Sequence, residues 1–128
     1  MTGIHSDIDS VKLNLDIPVF QKLYDLYKLF YLTILDFPKK DRYTLGQRVE
    51  NTTLALLEDI IMASQSSKLE KLPILQKASV KLDVLKVLVR CCKDLKIIDN
   101  KKYLIFESQI IEIGRMLGGW IKASSFHL

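Results

Sequence analysis

Between Lys68 and Lys96 the chain spells one long helix that is apolar on two opposite sides. At about 100° per residue, Leu75, Ala78, Leu82, Leu85, Val89 and Cys92 form one stripe. Val80, Val84, Val87 and Cys91 form a second, roughly across the helix axis. A monomer's core takes up one such stripe, so the other calls for a partner. The pattern predicts an oligomer with Val80, Val84, Val87 and Cys91 in the contact between copies. Cations fill the flanks, with Lys86, Arg90 and Lys93 along one border and Lys77 and Lys81 along the other.

Three further segments carry a helical period, most of it in the 3-4-3-4 spacing that drives bundle packing. The first runs from Pro18 to Asp36 with Phe20, Leu23, Tyr27, Phe30 and Ile34 on one stripe. Asp16 is its expected N-terminal cap, and Phe37-Pro38 stops it because the residue before a proline is pushed out of α geometry. The second starts near Asp41 and reaches Ser64. It turns Leu45, Val49, Thr52, Leu56 and Ile60 inward, with Leu57 and Ile61 broadening the face. A polar link, Gln65-Ser66-Ser67, leads to the third, whose regular part is expected from Pro73 to Leu95. Asp99-Asn100 then breaks the pattern before the fourth, where Tyr103, Phe106, Ile110, Ile113, Leu117 and Trp120 keep the spacing up to a tail at Ser124 to Leu128.

Five glycines and three prolines in 128 residues are too few for a turn-rich β architecture. Short links between consecutive helices favour antiparallel neighbours, so the expected fold is an all-α, up-down-up-down four-helix bundle over residues 18–123. Residues 1–17 stand apart. Val11, Leu13, Leu15 and Ile17 alternate with Lys12, Asn14 and Asp16, a strand-like period that fits either an extended arm against a neighbour or an unstructured leader. Gly114 and Gly118 have the spacing that lets helices approach closely, which predicts tight packing, and Trp120 is expected as a large core plug.

The formal charge of +4 is unevenly spread: Lys68 to Lys102 holds ten Lys/Arg against four Asp/Glu, leaving the rest of the chain net acidic. Such concentration favours phosphate-bearing or acidic partners. Cys91 and Cys92 are adjacent, and neighbours on a helix diverge by about 100°, so they read as packing residues in a reducing compartment. Asp7, Asp9, Lys12 and Asp16 occupy the place of a signal peptide's apolar core, and no apolar run approaches the roughly 20 residues of a membrane span. The expected location is cytoplasmic.

Chemistry-bearing constellations are missing from the sequence. His5 and His127 lie in the presumed tails, and the side-by-side cysteines lack metal-ligand spacing. The carboxylates Glu58 with Asp59, and Glu107 near Glu112, read as solvated surface, and Gly114, Gly118 and Gly119 lack the strand and turn of a phosphate-binding loop. The chain is expected to need no cofactor and to bind rather than catalyse.

Two stretches carry a family likeness. Phe37-Pro38-Lys39-Lys40-Asp41-Arg42-Tyr43-Thr44-Leu45-Gly46-Gln47-Arg48-Val49-Glu50-Asn51 opens the second helix, and Glu112-Ile113-Gly114-Arg115-Met116-Leu117-Gly118-Gly119-Trp120-Ile121 closes the fourth. They resemble the accessory variability determinant proteins of diversity-generating retroelements, over roughly residues 19–123. A wider group of four-helix bundles includes proteins encoded in intervening sequences of bacterial 23S ribosomal RNA genes. That branch carries an Asn-Ile-Ala-Glu-Gly type motif where this chain has Asn51-Thr52-Thr53-Leu54-Ala55, so the retroelement branch is preferred.

The resemblance implies a homopentameric, barrel-like ring that binds the element's reverse transcriptase and nucleic acid. It also implies support of adenine-mutagenic complementary DNA synthesis from template RNA during mutagenic retrohoming. Together with the charge pattern it nominates Lys77, Lys81, Lys86, Arg90, Lys93 and Lys96, with Arg48 and Arg115, as a surface for RNA or DNA. Arg48 and Arg115 have a competing reading, pairing with Glu50, Glu112 or a neighbour's carboxylate to hold subunits in register. A purely protein-binding scaffold is the alternative function.

Overall fold

In a computed structural model that describes residues 17–125, four long helices account for almost the whole chain. They are α1 (Ile17–Ile34), α2 (Gln47–Ser64), α3 (Lys68–Asp94) and α4 (Asn100–Ser125). Each packs against the next in sequence, and α1 closes the circuit against α4. Among the described residues there is no strand. The result is a four-helix bundle in which every helix gives one stripe to a shared core.

The stripes are largely those the spacing predicts. Leu23, Phe30 and Ile34 of α1, Val49, Leu56 and Ile60 of α2, the six α3 residues from Leu75 to Cys92, and Tyr103 to Leu117 of α4 are all buried. Phe30 and Phe106 meet across the centre with ring centroids 4.7 Å apart. Burying each large aliphatic side chain stabilises the fold by about 2 kcal/mol relative to leaving it in water.

Departures occur where backbone chemistry overrides the period. α1 ends at Ile34, two residues before the expected Asp36, because Asp36 and Phe37 donate to the carbonyls of Thr33 and Ile34 in a tight turn. That turn tucks Phe37 into the core. Between Lys39 and Gly46 a single α turn passes into a wider π-helical stretch, Arg42–Gly46. The extra residue per turn shifts the phase, so Gly46 is buried and Leu45 only half-buried. Further along, Thr53 and Ala63 are buried, while Ile61, expected to broaden the inner face, is exposed. The Thr53 hydroxyl donates to the Val49 carbonyl at 2.8 Å, which removes the cost of burying it.

α3 begins earlier than Pro73. Ser67 and Glu70 form a reciprocal capping box, and the helix runs on through Pro73 from Lys68. At its other end the backbone turns left-handed at Lys96 (φ 60°), with Ile97 donating to the Cys92 carbonyl and Lys96 to that of Lys93. This is the Schellman arrangement, with lysine at the position that favours glycine. Lys96 therefore lies beyond the helix rather than on it. Asp99 caps α4 by accepting from the Lys102 amide at 2.7 Å, and α4 continues to Ser125 with Ser124 buried, past the expected start of the tail. The expected Asp16 cap and the alternating stretch before Ile17 lie outside the described residues.

Two expectations for α4 are corrected. Trp120 is half-buried at the edge of the core, with the Lys71 ammonium 5.5 Å from its ring centre, so it is no central plug. Gly118 does not serve tight packing within the chain, since a Cβ placed there or on Gly119 meets nothing within 4 Å, and one on Gly114 meets only Leu82 at an ordinary 3.5 Å.

Candidate interaction surface

The outer face of α3 is where the second apolar stripe emerges. Val80 is 62% and Val87 67% exposed, while Val84 and Cys91 are half-buried. No other helix of the chain covers this face. Toward α2 it continues into a shallow groove in which Val84 and Lys81 face Arg48, Asn51 and Ala55. Farther along that groove Leu88 faces Tyr43 and Leu45.

The eight nominated cations do not form one patch. Lys77 and Lys81 lie on the α2 side of α3, and Lys86, Arg90 and Lys93 on the α4 side, with the valines between them. Lys81 donates to Asp59 of α2 at 2.7 Å; the lysine is 34% and the aspartate 13% exposed. Arg90 pairs with Asp94 at 3.2 Å, and that hydrogen bond, together with the carboxylate's charge and a bond to Tyr103, raises its pKa further. The Lys93 ammonium sits over the Tyr103 ring, 4.8 Å from its centre. Lys77, Lys86, Lys96 and Arg48 are exposed, with no carboxylate partner among the described residues. Arg115 pairs with Glu112 at 2.6 Å, one of the two partners its competing reading named.

Two surfaces escaped the sequence reading. The α1–α2 and α3–α4 connections fall at the same end of an up-down bundle, which gathers Lys39, Lys40 and Arg42 with Lys96, Lys101 and Lys102 there. Only the topology supplies that signal. The second is a row of exposed aromatics on α1, Tyr24 and Tyr31, with Tyr27 half-buried between them. It was legible as a helical stripe beside the inward one, but two of its members were not assigned a face.

Nothing enclosed here suits a substrate. The cavity among Phe30, Phe37, Val89, Cys92 and Phe106 offers about 10 Å³, room for at most one water. Among the described residues no group of His, Cys, Asp and Glu could hold a metal ion, and no helix is long and apolar enough to cross a membrane. Both cysteines are free thiols. Burial, with smaller contributions from Cys91 and Asp41, pushes the Cys92 thiol up to about 11, which leaves it unreactive near neutrality.

The bAvd-like family model matches residues 18–124, the whole of the bundle, and the chain belongs to that family. No curated protein matches the sequence.

Proposed function

We propose that this bAvd-like chain is the non-catalytic accessory protein of a diversity-generating retroelement. Copies assemble into a closed ring, a pentamer on the family likeness, which binds the element's reverse transcriptase together with template RNA and complementary DNA. In doing so it supports adenine-mutagenic synthesis and retrohoming, and the catalysis belongs to the partner. The observation that carries this reading is the pair of exposed valines, Val80 and Val87, set between two rows of cations. An apolar strip of that kind is suited to a sister copy, and its charged borders to a polyanion.

Electrostatics decides how such a ring holds nucleic acid. One copy offers only a few unpaired cations, Lys77, Lys86, Lys96 and Arg48 foremost. Several copies bring those weak contacts to bear on one strand, which raises the effective concentration of each. Binding of this kind is nearly blind to sequence and weakens steeply with salt, because each neutralised phosphate releases a counterion. Titrating RNA and DNA binding against salt tests it, and a flat response rejects the electrostatic account. Co-purification of the chain with the reverse transcriptase tests the biological role; failure of the two to associate rejects that.

A protein-only scaffold has one observation in its favour. Lys81, Arg90 and Arg115 are occupied by the chain's own carboxylates, which lowers the charge left for phosphates. Competition separates the two readings. If the polymerase binds equally well in excess RNA and the ring alone retains none, the scaffold reading holds.

A further inference from the structure

We infer that copies join head to tail, with the tyrosine-bearing face of α1 and α2 on one copy covering the valine stripe of α3 on the next. This rests on the proposed assembly and adds which two surfaces meet. The first surface starts on α1, where Tyr24 and Tyr31 are 45% and 50% exposed. Tyr27 lies close enough to Glu50 of α2 that the carboxylate, after burial, helps to raise its pKa. That proximity sets the tyrosine row beside the α2 stripe of Glu50, Leu54, Leu57 and Ile61, whose 4-3-4 spacing keeps them on one side of the helix. Leu54 and Ile61 are exposed. The surface is broad, aromatic and aliphatic, and no other part of the described chain covers it.

Charge selects the pairing. Glu50 and Glu58 border the tyrosine face with no cationic partner among the described residues, while Asp25 and Lys28 neutralise each other at 3.5 Å. Lys77 and Lys86 border the valine face, likewise without carboxylates. Two valine faces meeting about a two-fold axis would set lysine against lysine, and two tyrosine faces would set glutamate against glutamate. Valine face on tyrosine face instead brings opposite charges around an apolar centre. Two different surfaces on one chain make a heterologous contact, the kind that closes into rings.

Mixing of variants tests this. Val87→Asp spoils the valine face and Tyr24→Asp/Tyr31→Asp the tyrosine face; all three positions are well exposed, so each chain should keep the wild-type helical circular dichroism. Alone, each variant should fall in light scattering to the 14.8 kDa of one chain. Mixed in equal amounts they should give a 1:1 complex of twice that mass and nothing larger, because one intact pair of faces remains. If either aspartate chain loses its helical signal, Val87→Ser and Tyr31→Ser repeat the mixing. A wild-type chain at 14.8 kDa overturns the assembly itself. Assembled wild type whose variants form no 1:1 complex overturns only the pairing. A Tyr24/Tyr31 variant that keeps wild-type mass also overturns it, whether the valine face then pairs with itself or the tyrosines prove to stack RNA bases.

Discussion

Gly118 and Gly119 sit in the body of α4, yet an added methyl at either would touch nothing within 4 Å. A glycine inside a helix costs about 1 kcal/mol relative to alanine, through the conformational freedom it gives up on folding. With no crowding to oppose that gain, Gly118→Ala/Gly119→Ala should stabilise the chain by about 2 kcal/mol. The two positions point about 100° apart and share no neighbour, so their effects should add. For a domain of this size the double variant should raise the melting temperature by roughly 8 °C. Urea unfolding followed by circular dichroism, at several protein concentrations so that assembly is separated from folding, measures it. Gly46→Ala is the built-in contrast. Its Cβ would lie 2.8 Å from Ile34 Cγ2 and 3.3 Å from the Asp41 carbonyl oxygen, a close approach that only glycine permits, so this variant should lose stability despite the same gain in propensity. An unchanged or lowered stability for the α4 double variant would refute the reasoning, because something must then press on that face.

Other positions give equally direct tests. The Cys92 thiol ionises near pH 11 in the folded chain and near 9.0 when unfolded. The unfolded state therefore loses its proton first, and stability should fall between those values. Cys92→Ala should flatten that part of the urea midpoint against pH, and an identical slope in both proteins would count against the buried thiol. A double-mutant cycle on Asp59→Ala and Lys81→Ala should return a coupling of about 1 kcal/mol, the scale of a charged hydrogen bond that water partly screens; zero coupling would mean that the 2.7 Å contact does not persist in solution. Lys96→Gly should add roughly 1 kcal/mol by relieving the left-handed backbone at φ 60°, and a loss in thermal unfolding would show that the side chain contributes more than its backbone costs.

The core was legible because burial imposes a period. Leu75 to Cys92 and Tyr103 to Leu117 face inward as their spacing requires. Boundaries were harder, since they depend on hydrogen bonds that periodicity does not carry. The Ser67–Glu70 capping box starts α3 five residues ahead of Pro73, although Ser-x-x-Glu was there to be read. The phase error at Ile61 and Thr53 follows the π-helical stretch before α2, which no apolar pattern announces. The surface divides in the same way. That Val80 and Val87 stand clear of the chain's own core follows from the angles alone. That Asp59 has taken Lys81 does not, because it depends on two helices coming together across twenty-two residues of sequence.

The wide turn from Arg42 to Gly46 gives the bundle a place of slack. A chain shortened there by one residue can tighten to ordinary α winding while Val49 and everything after it keep their places against α1 and α3. The same loss two turns later would rotate the remainder of α2 by about 100° and carry its leucines out of the core. Length variation in this rod is thus tolerable at its mouth and ruinous along its shaft, and Tyr43, held outward by the loose coil, is the side chain such an adjustment would re-aim.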